Sequence, residues 1–321
     1  MLESARVRGR WGLLVCSRGV QSPDRSRRIW AGVRVLGLIV LVAVLLRQIE
    51  WAAVVASFRG IGPGEAAVVL AAVLVAMGLR LWKWQVQLQA MDLAQVPAPT
   101  VARGFLLGVL LGAVTPLRLG EFYRIAAATP GAGEARNRAA AGVLLDKGYE
   151  LLVVLVTLAV GAVATLPAVV GAVAWALVVA IAWLVLGPAG AHGPGPLGRS
   201  LGLMAAAKAC LGAGDRARLL AATTGAHALN LAAGLVIYRA FGELAVGDYL
   251  LRVPMITLLN TVPMTIGGFG LRELTAMQLF GAIAYPAAGA AVAAAALFFA
   301  ANVLPALLLL PVVVAAERRR A

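Results

Sequence analysis

The feature that most constrains this chain is a succession of apolar runs, each close to the roughly 20 residues that an α-helix needs to cross a bilayer. They fall at about 29–46, 66–81, 139–165, 168–186, 219–241 and 287–316. Hydrocarbon accepts only backbone whose polar groups are satisfied within the segment or a closed barrel, and no series of alternating ten-residue strands is present, so the runs read as helices. With 62% hydrophobic residues, 13% charged and a mean hydropathy of +0.91, the composition lies far outside the globular range. The fold class is an all-α polytopic membrane protein.

A formal charge of +14 raises the question of nucleic acid. The arginines cluster in an N-terminal arm, in the loops and in Arg318-Arg319-Arg320, with no aromatic-interleaved basic platform. That placement fits orientation by the positive-inside rule, with both termini cytoplasmic at the cell membrane, and not DNA or RNA binding. The 2 cysteines, Cys16 and Cys210, form no CxxC pair, so neither a disulfide framework nor a metal site is indicated. His192 sits in a Gly/Pro-rich linker. His227, with no second ligand at i+4, reads as a packing residue bonded to a neighbour. No cofactor motif is present: Gly267-Gly268-Phe269-Gly270 follows no strand and departs from the dinucleotide fingerprint.

Two stretches break the apolar pattern. Residues 115–124 place Pro116, Arg118, Gly120, Glu121 and Arg124 directly after an apolar part of about eleven residues, 104–114, too short to span. Residues 261–273 repeat the theme with Pro263, Gly267, Gly268, Gly270, Arg272 and Glu273. Pro116 and Pro263 stand 147 residues apart, each with glycine four positions on. Proline removes a donor and glycine permits tight turns, so both segments are expected to be interrupted, re-entrant elements. Loop charges place the first entry on the cytoplasmic side and the second on the opposite one, the pattern of an inverted repeat. The expected topology has six full spans plus two broken segments, eight helices if these are counted. A basic arm (1–29) and a basic tail (317–321) flank one domain (30–316), whose halves, about 30–186 and 201–316, meet at a linker over 187–200.

Charge next to hydrocarbon calls for an explanation. Arg118, Arg124 and Arg272 can clamp a phosphate by bidentate hydrogen bonds, and Gly120, Gly267, Gly268 and Gly270 can leave amides open to an anion. Glu121 and Glu273 either neutralise the arginines in the empty site, respond to protons or an amine headgroup, or simply lock the hairpins. In the helix over 139–165, Asp146, Lys147 and Glu150 crowd one face by i, i+3 and i, i+4 spacing. They are either a polar helix end or, the reading preferred here, a charge cluster facing a cavity. Arg80, Trp82, Lys83 and Trp84 read as a basic and aromatic membrane interface.

These residues carry a resemblance. Arg80 with Trp82, Pro116-x-Arg118-x-Gly120-Glu121-x-x-Arg124, the charged helix at 146–150 and Gly267-Gly268-x-Gly270-x-Arg272-Glu273 together resemble the lysylphosphatidylglycerol synthase transmembrane-region, or flippase-like, family over about 30–316. Leu117 and Ile266 depart from its usual glycine and proline, and Asp146-Lys147-Gly148-Tyr149-Glu150 keeps its charge order with other side chains. The resemblance implies a membrane module for translocating a phospholipid or isoprenoid-linked lipid. Multidomain relatives move an aminoacylated phospholipid made by a cytosolic domain; no room for such a domain is expected here, so a non-enzymatic role is. The alternative is a non-transporting partner of a lipid- or glycan-synthesis enzyme.

Overall fold

The computed structural model of the chain describes residues 61–93, 95–115, 119–129, 133–187, 196–259, 271–283, 285 and 288–319. Among them every regular element is helical. In order they are α1 (Pro63–Ala90), α2 (Ala98–Val114), a 3-10 turn (Leu119–Phe122), α3 (Tyr123–Ala128), α4 (Glu134–Thr165) and α5 (Ala168–Leu186). There follow α6 (Pro196–Cys210), α7 (Ala213–Phe241), α8 (Val246–Leu259), α9 (Leu271–Gly281) and α10 (Ala288–Arg318). Five of them, α1, α4, α5, α7 and α10, are long and apolar enough to cross a membrane. The chain is thus a multi-pass, all-α membrane protein. The basic arm, the expected span at 29–46 and residues 260–270 lie outside the described residues.

Local chemistry sets the helix ends. At the start of α1, Pro63 supplies a preset φ and the Glu65 carboxylate accepts the Gly62 N–H at 3.1 Å. At the end of α5, the orphan carbonyls of Leu184 and Gly187 accept hydrogen bonds from Lys208 Nζ of α6, at 3.1 and 3.0 Å. Lys208 therefore ties α6 to the end of a span. Two departures from the sequence reading concern length. Helix α2 begins at Ala98, straight after Pro97, and so has 17 residues rather than the eleven of its apolar part. Helix α1 runs nine residues beyond the expected end at 81, through Lys83 and Trp84 and into the core.

The halves repeat. Buried positions of α1 recur in α7 at a spacing of 150 residues: Val69 with Leu219, Val73 with Thr223, Ala76 with Ala226, Trp84 with Gly234, Leu88 with Tyr238. The two helices pack against each other in opposite directions, since Val69 and Val73 share a core with Ile237, Tyr238 and Phe241. Trp84 and Leu88, at the other end of α1, share theirs with Leu219. Exchanging α1, α2, α3 and α4 for α7, α8, α9 and α10 also reproduces further pairings: α2 on α10 becomes α8 on α4, and α2 with α3 becomes α8 with α9, while the packing of α5 and α6 on α4 belongs to the first half alone. An antiparallel central pair with matching partners on both sides is the architecture of an inverted repeat.

The α4–α8 crossing depends on one glycine. A Cβ at Gly161 would lie 2.3 Å from the Leu251 nitrogen and 2.5 Å from the Leu250 carbonyl carbon, backbone atoms that cannot step aside. Gly161→Ala is therefore expected to separate the helices at a cost of about 1–3 kcal/mol. A lowered unfolding midpoint in detergent would show this; an unchanged midpoint would contradict such close packing.

Candidate functional site

The site is assembled by a hairpin. Residues 119–128 run back along α2, and small residues let the two segments touch. A Cβ on Gly104 would come within 2.2 Å of the Ala127 Cβ, while Gly108 faces the Gly120 and Glu121 carbonyls. The bend is held by Thr115, whose hydroxyl donates to Leu111 O at 2.7 Å and accepts the Gly120 N–H at 2.8 Å. In consequence Glu121 and Arg124 are carried to a cavity of about 140 Å³ between α1, α2, α4, α7 and α8.

A buried carboxylate organises that cavity. Asp146, 1% exposed, lies between two cations. Its Oδ1 contacts the ammonium of Lys83, and its Oδ2 accepts from Arg124 Nη2 at 2.8 Å. Lys83, equally buried, also donates to Thr223 Oγ1 at 3.1 Å and stands 3.7 Å from Glu150. The guanidinium of Arg124 lies 4.8 Å from the Trp84 ring centroid, a cation–π contact. Nearer the mouth, Lys147 pairs with Glu121 and, at 2.8 Å, with Glu150. Buried ions cost several kcal/mol each in lost hydration, and this network offsets that cost by giving every carboxylate at least one cation.

Cations remain in excess. Arg80, Lys83, Arg124 and Lys147 line the cavity with Glu121, Asp146 and Glu150, four positive groups against three negative. Among the described residues Arg80 forms no ion pair or hydrogen bond, and the buried Nε of Arg124 has no partner. Each carboxylate in the cavity is paired with a lysine or arginine. The arrangement suits capture of an anion.

The sequence-derived residues divide into three groups. Glu121, Arg124, Asp146, Lys147 and Glu150 converge on the cavity. Gly120 does not line it; its amide is spent on Thr115, and its part is to let the hairpin close. Arg272, 6% exposed, lies over the Phe299 ring at 4.2 Å, between α9 and α10 and away from the cavity lining. Arg118, Gly267, Gly268 and Gly270 fall outside the described residues; Glu273 lies on α9. The interface reading of Trp84 and Lys83 is overturned. Both are fully buried, because α1 presents them to α4, where Gly142 leaves room for the ring. The signal that could have found Lys83 is Arg80, Lys83 and Gln87 at i, i+3 and i+7, one polar stripe on an otherwise apolar helix. His227 is bonded to a neighbour as expected, Thr157 at 3.1 Å, and it also lines the cavity. Asn230, one turn further along α7, is buried with no hydrogen-bond partner for its side chain among the described residues.

A family model described as the lysylphosphatidylglycerol synthase TM region matches residues 29–309, and so takes in every element of this site. The chain belongs to that family. None of the curated proteins compared with it matches. Family membership extends the domain back to residue 29, and so includes the apolar run at 29–46. It gives a lipid-related membrane setting in which a charged cavity among apolar helices can be interpreted.

Proposed function

We propose that this protein binds an anionic lipid headgroup in the cavity bounded by Arg80, Arg124 and Lys147 and carries it across the cell membrane. The single observation that bears most weight is the uncommitted cationic capacity there, Arg80 without a partner and Arg124 with a free Nε, in a membrane domain. Guanidinium groups bind phosphate oxygens through directional, charge-assisted hydrogen bonds, and water exclusion strengthens them. About 140 Å³ accommodates a headgroup phosphate and not the acyl or isoprenoid chains, which would stay in the surrounding lipid. In this proposal Arg118, Gly267, Gly268, Gly270 and Glu273 add contacts from the two broken motifs. The role is recognition and movement rather than bond-making, since every carboxylate in the cavity is tied to a cation. The basic termini face the cytoplasm, attracted to anionic lipid.

The test is movement of a fluorescent phosphatidylglycerol in proteoliposomes, read by dithionite quenching. Wild type is expected to move it and Arg80→Gln to slow it at least about tenfold, equivalent to about 1.4 kcal/mol. Transport by Arg80→Gln at the wild-type rate would sink the assignment. Binding without movement by the purified wild type, together with a stoichiometric copurifying enzyme, would favour a role as partner of a lipid- or glycan-synthesis enzyme.

A further inference from the structure

His227 lines the cavity as a polar imidazole with no ion-pair partner among the described residues, and its hydrogen bond bears on which nitrogen is free. Thr157 Oγ1 has a single hydrogen, which it donates to Val153 O at 2.9 Å. Toward His227 Nε2, 3.1 Å away, the same oxygen must accept, so the neutral ring carries its hydrogen on Nε2. The lone pair therefore resides on Nδ1, which forms no hydrogen bond among the described residues. The polar and charged groups that line the cavity with it are Arg80 and Lys83 from α1, Glu121 from the 3-10 turn, Arg124 from α3, Asp146, Lys147 and Glu150 from α4, Thr223 from α7 and Thr257 from α8.

We infer that His227 is a proton site coupled to the anion site: Nδ1 takes a proton from water when an anion enters the cavity and returns it to water when the anion leaves. The inference rests on the anion-binding reading and adds its regulation. In the empty cavity burial and the excess of cations, the unpaired Arg80 among them, both oppose a further positive charge, while Glu150 is held by Lys147 and cannot fully offset that repulsion. An anion seated on Arg80 cancels the opposing charge. Proton and anion then stabilise each other across a water-poor space, where charges interact more strongly than in bulk water. Binding free energies are reciprocal, so the same coupling makes the anion bind more tightly as pH falls. Transport would accordingly move a proton with each headgroup.

The experiment is calorimetric titration of the detergent-solubilised protein with dihexanoyl phosphatidylglycerol, in two phosphate-free buffers of different ionisation enthalpy. Proton uptake on binding is expected in wild type, with affinity rising at least about threefold between pH 8 and pH 6, roughly 0.6 kcal/mol of coupling. In His227→Gln both the uptake and the pH dependence are expected to vanish. Imidazole nitrogen NMR on the wild type gives a reading that needs no variant, because the chain has only 2 histidines. The empty protein should show the Nε2–H form, and added lipid should convert it to imidazolium. Binding without proton uptake, or uptake that persists in His227→Gln, overturns the coupling and leaves the anion site standing. The absence of any binding heat in wild type overturns both.

Discussion

Asp146→Asn is expected to lower stability by about 3–5 kcal/mol, the cost of breaking a buried ion pair by removing one partner. The side chain is 1% exposed, and among the described residues it is the one carboxylate in contact with both Lys83 and Arg124. Asparagine keeps the shape and removes the charge, leaving two buried cations that repel each other across an amide. Lys83→Met should cost less, since Asp146 keeps its bond to Arg124 at 2.8 Å. In the double variant one excess cation disappears along with the missing carboxylate, so its loss should fall short of the sum of the single losses. A coupling energy of about 1–3 kcal/mol is expected from the full cycle of unfolding midpoints in detergent. Additivity within about 0.5 kcal/mol would mean that Lys83 and Asp146 do not sense each other, contrary to their contact.

The same carboxylate shows how far the sequence could be read. Asp146, Lys147 and Glu150 were legible because helical periodicity alone places them on one face, and intramembrane charge rarely faces lipid. The spans were legible because the bilayer imposes a length. Lys83 and Trp84 were not, since a lysine between two tryptophans has the composition of an interface whether or not the helix continues; only the packing of α1 on Gly142 and Asp146 decides. The repeat was visible at Pro116 and Pro263, yet its best structural carriers differ in residue type. Where the first half has Trp84, the second has Gly234, against which the Tyr249 hydroxyl and the Phe298 ring close in. Arg124 and Arg272 are each the second residue of a short helix, buried, with an aromatic ring beneath the guanidinium. Arg124 lines a polar cavity with Asp146, whereas Arg272 borders a half whose core is built on Tyr238, Tyr249, Phe280 and Tyr285. Burial pattern was retained between the halves while the chemistry diverged, and sequence motifs alone suggested a more even division of the site.

Gly120→Ala is expected to damage both the fold and the site, for reasons of space rather than backbone conformation. The added Cβ would stand 2.2 Å from the Leu111 carbonyl carbon and 2.3 Å from the Gly112 nitrogen, so the hairpin must open. Forced overpacking of this kind costs about 1–3 kcal/mol, and the upper end applies here because the obstructing atoms are main chain. Opening the hairpin would also draw Glu121 from Lys147 and Arg124 from Asp146, so binding of phosphatidylglycerol should fall at least about tenfold, or about 1.4 kcal/mol. Two other glycines grade the argument. Gly108, where a Cβ would meet only ordinary contacts at 3.4–3.5 Å, should accept alanine with a small loss. Gly78, within α1 and with nothing inside 4 Å, should gain about 0.5–1 kcal/mol from the better helix former. The expected order of unfolding midpoints is therefore Gly78→Ala above wild type, then Gly108→Ala, then Gly120→Ala. Anion binding should be lost only in the last. If Gly120→Ala kept wild-type stability and affinity, the return segment could not lie against α2 as closely as described, and the placement of Arg124 in the cavity would fail with it.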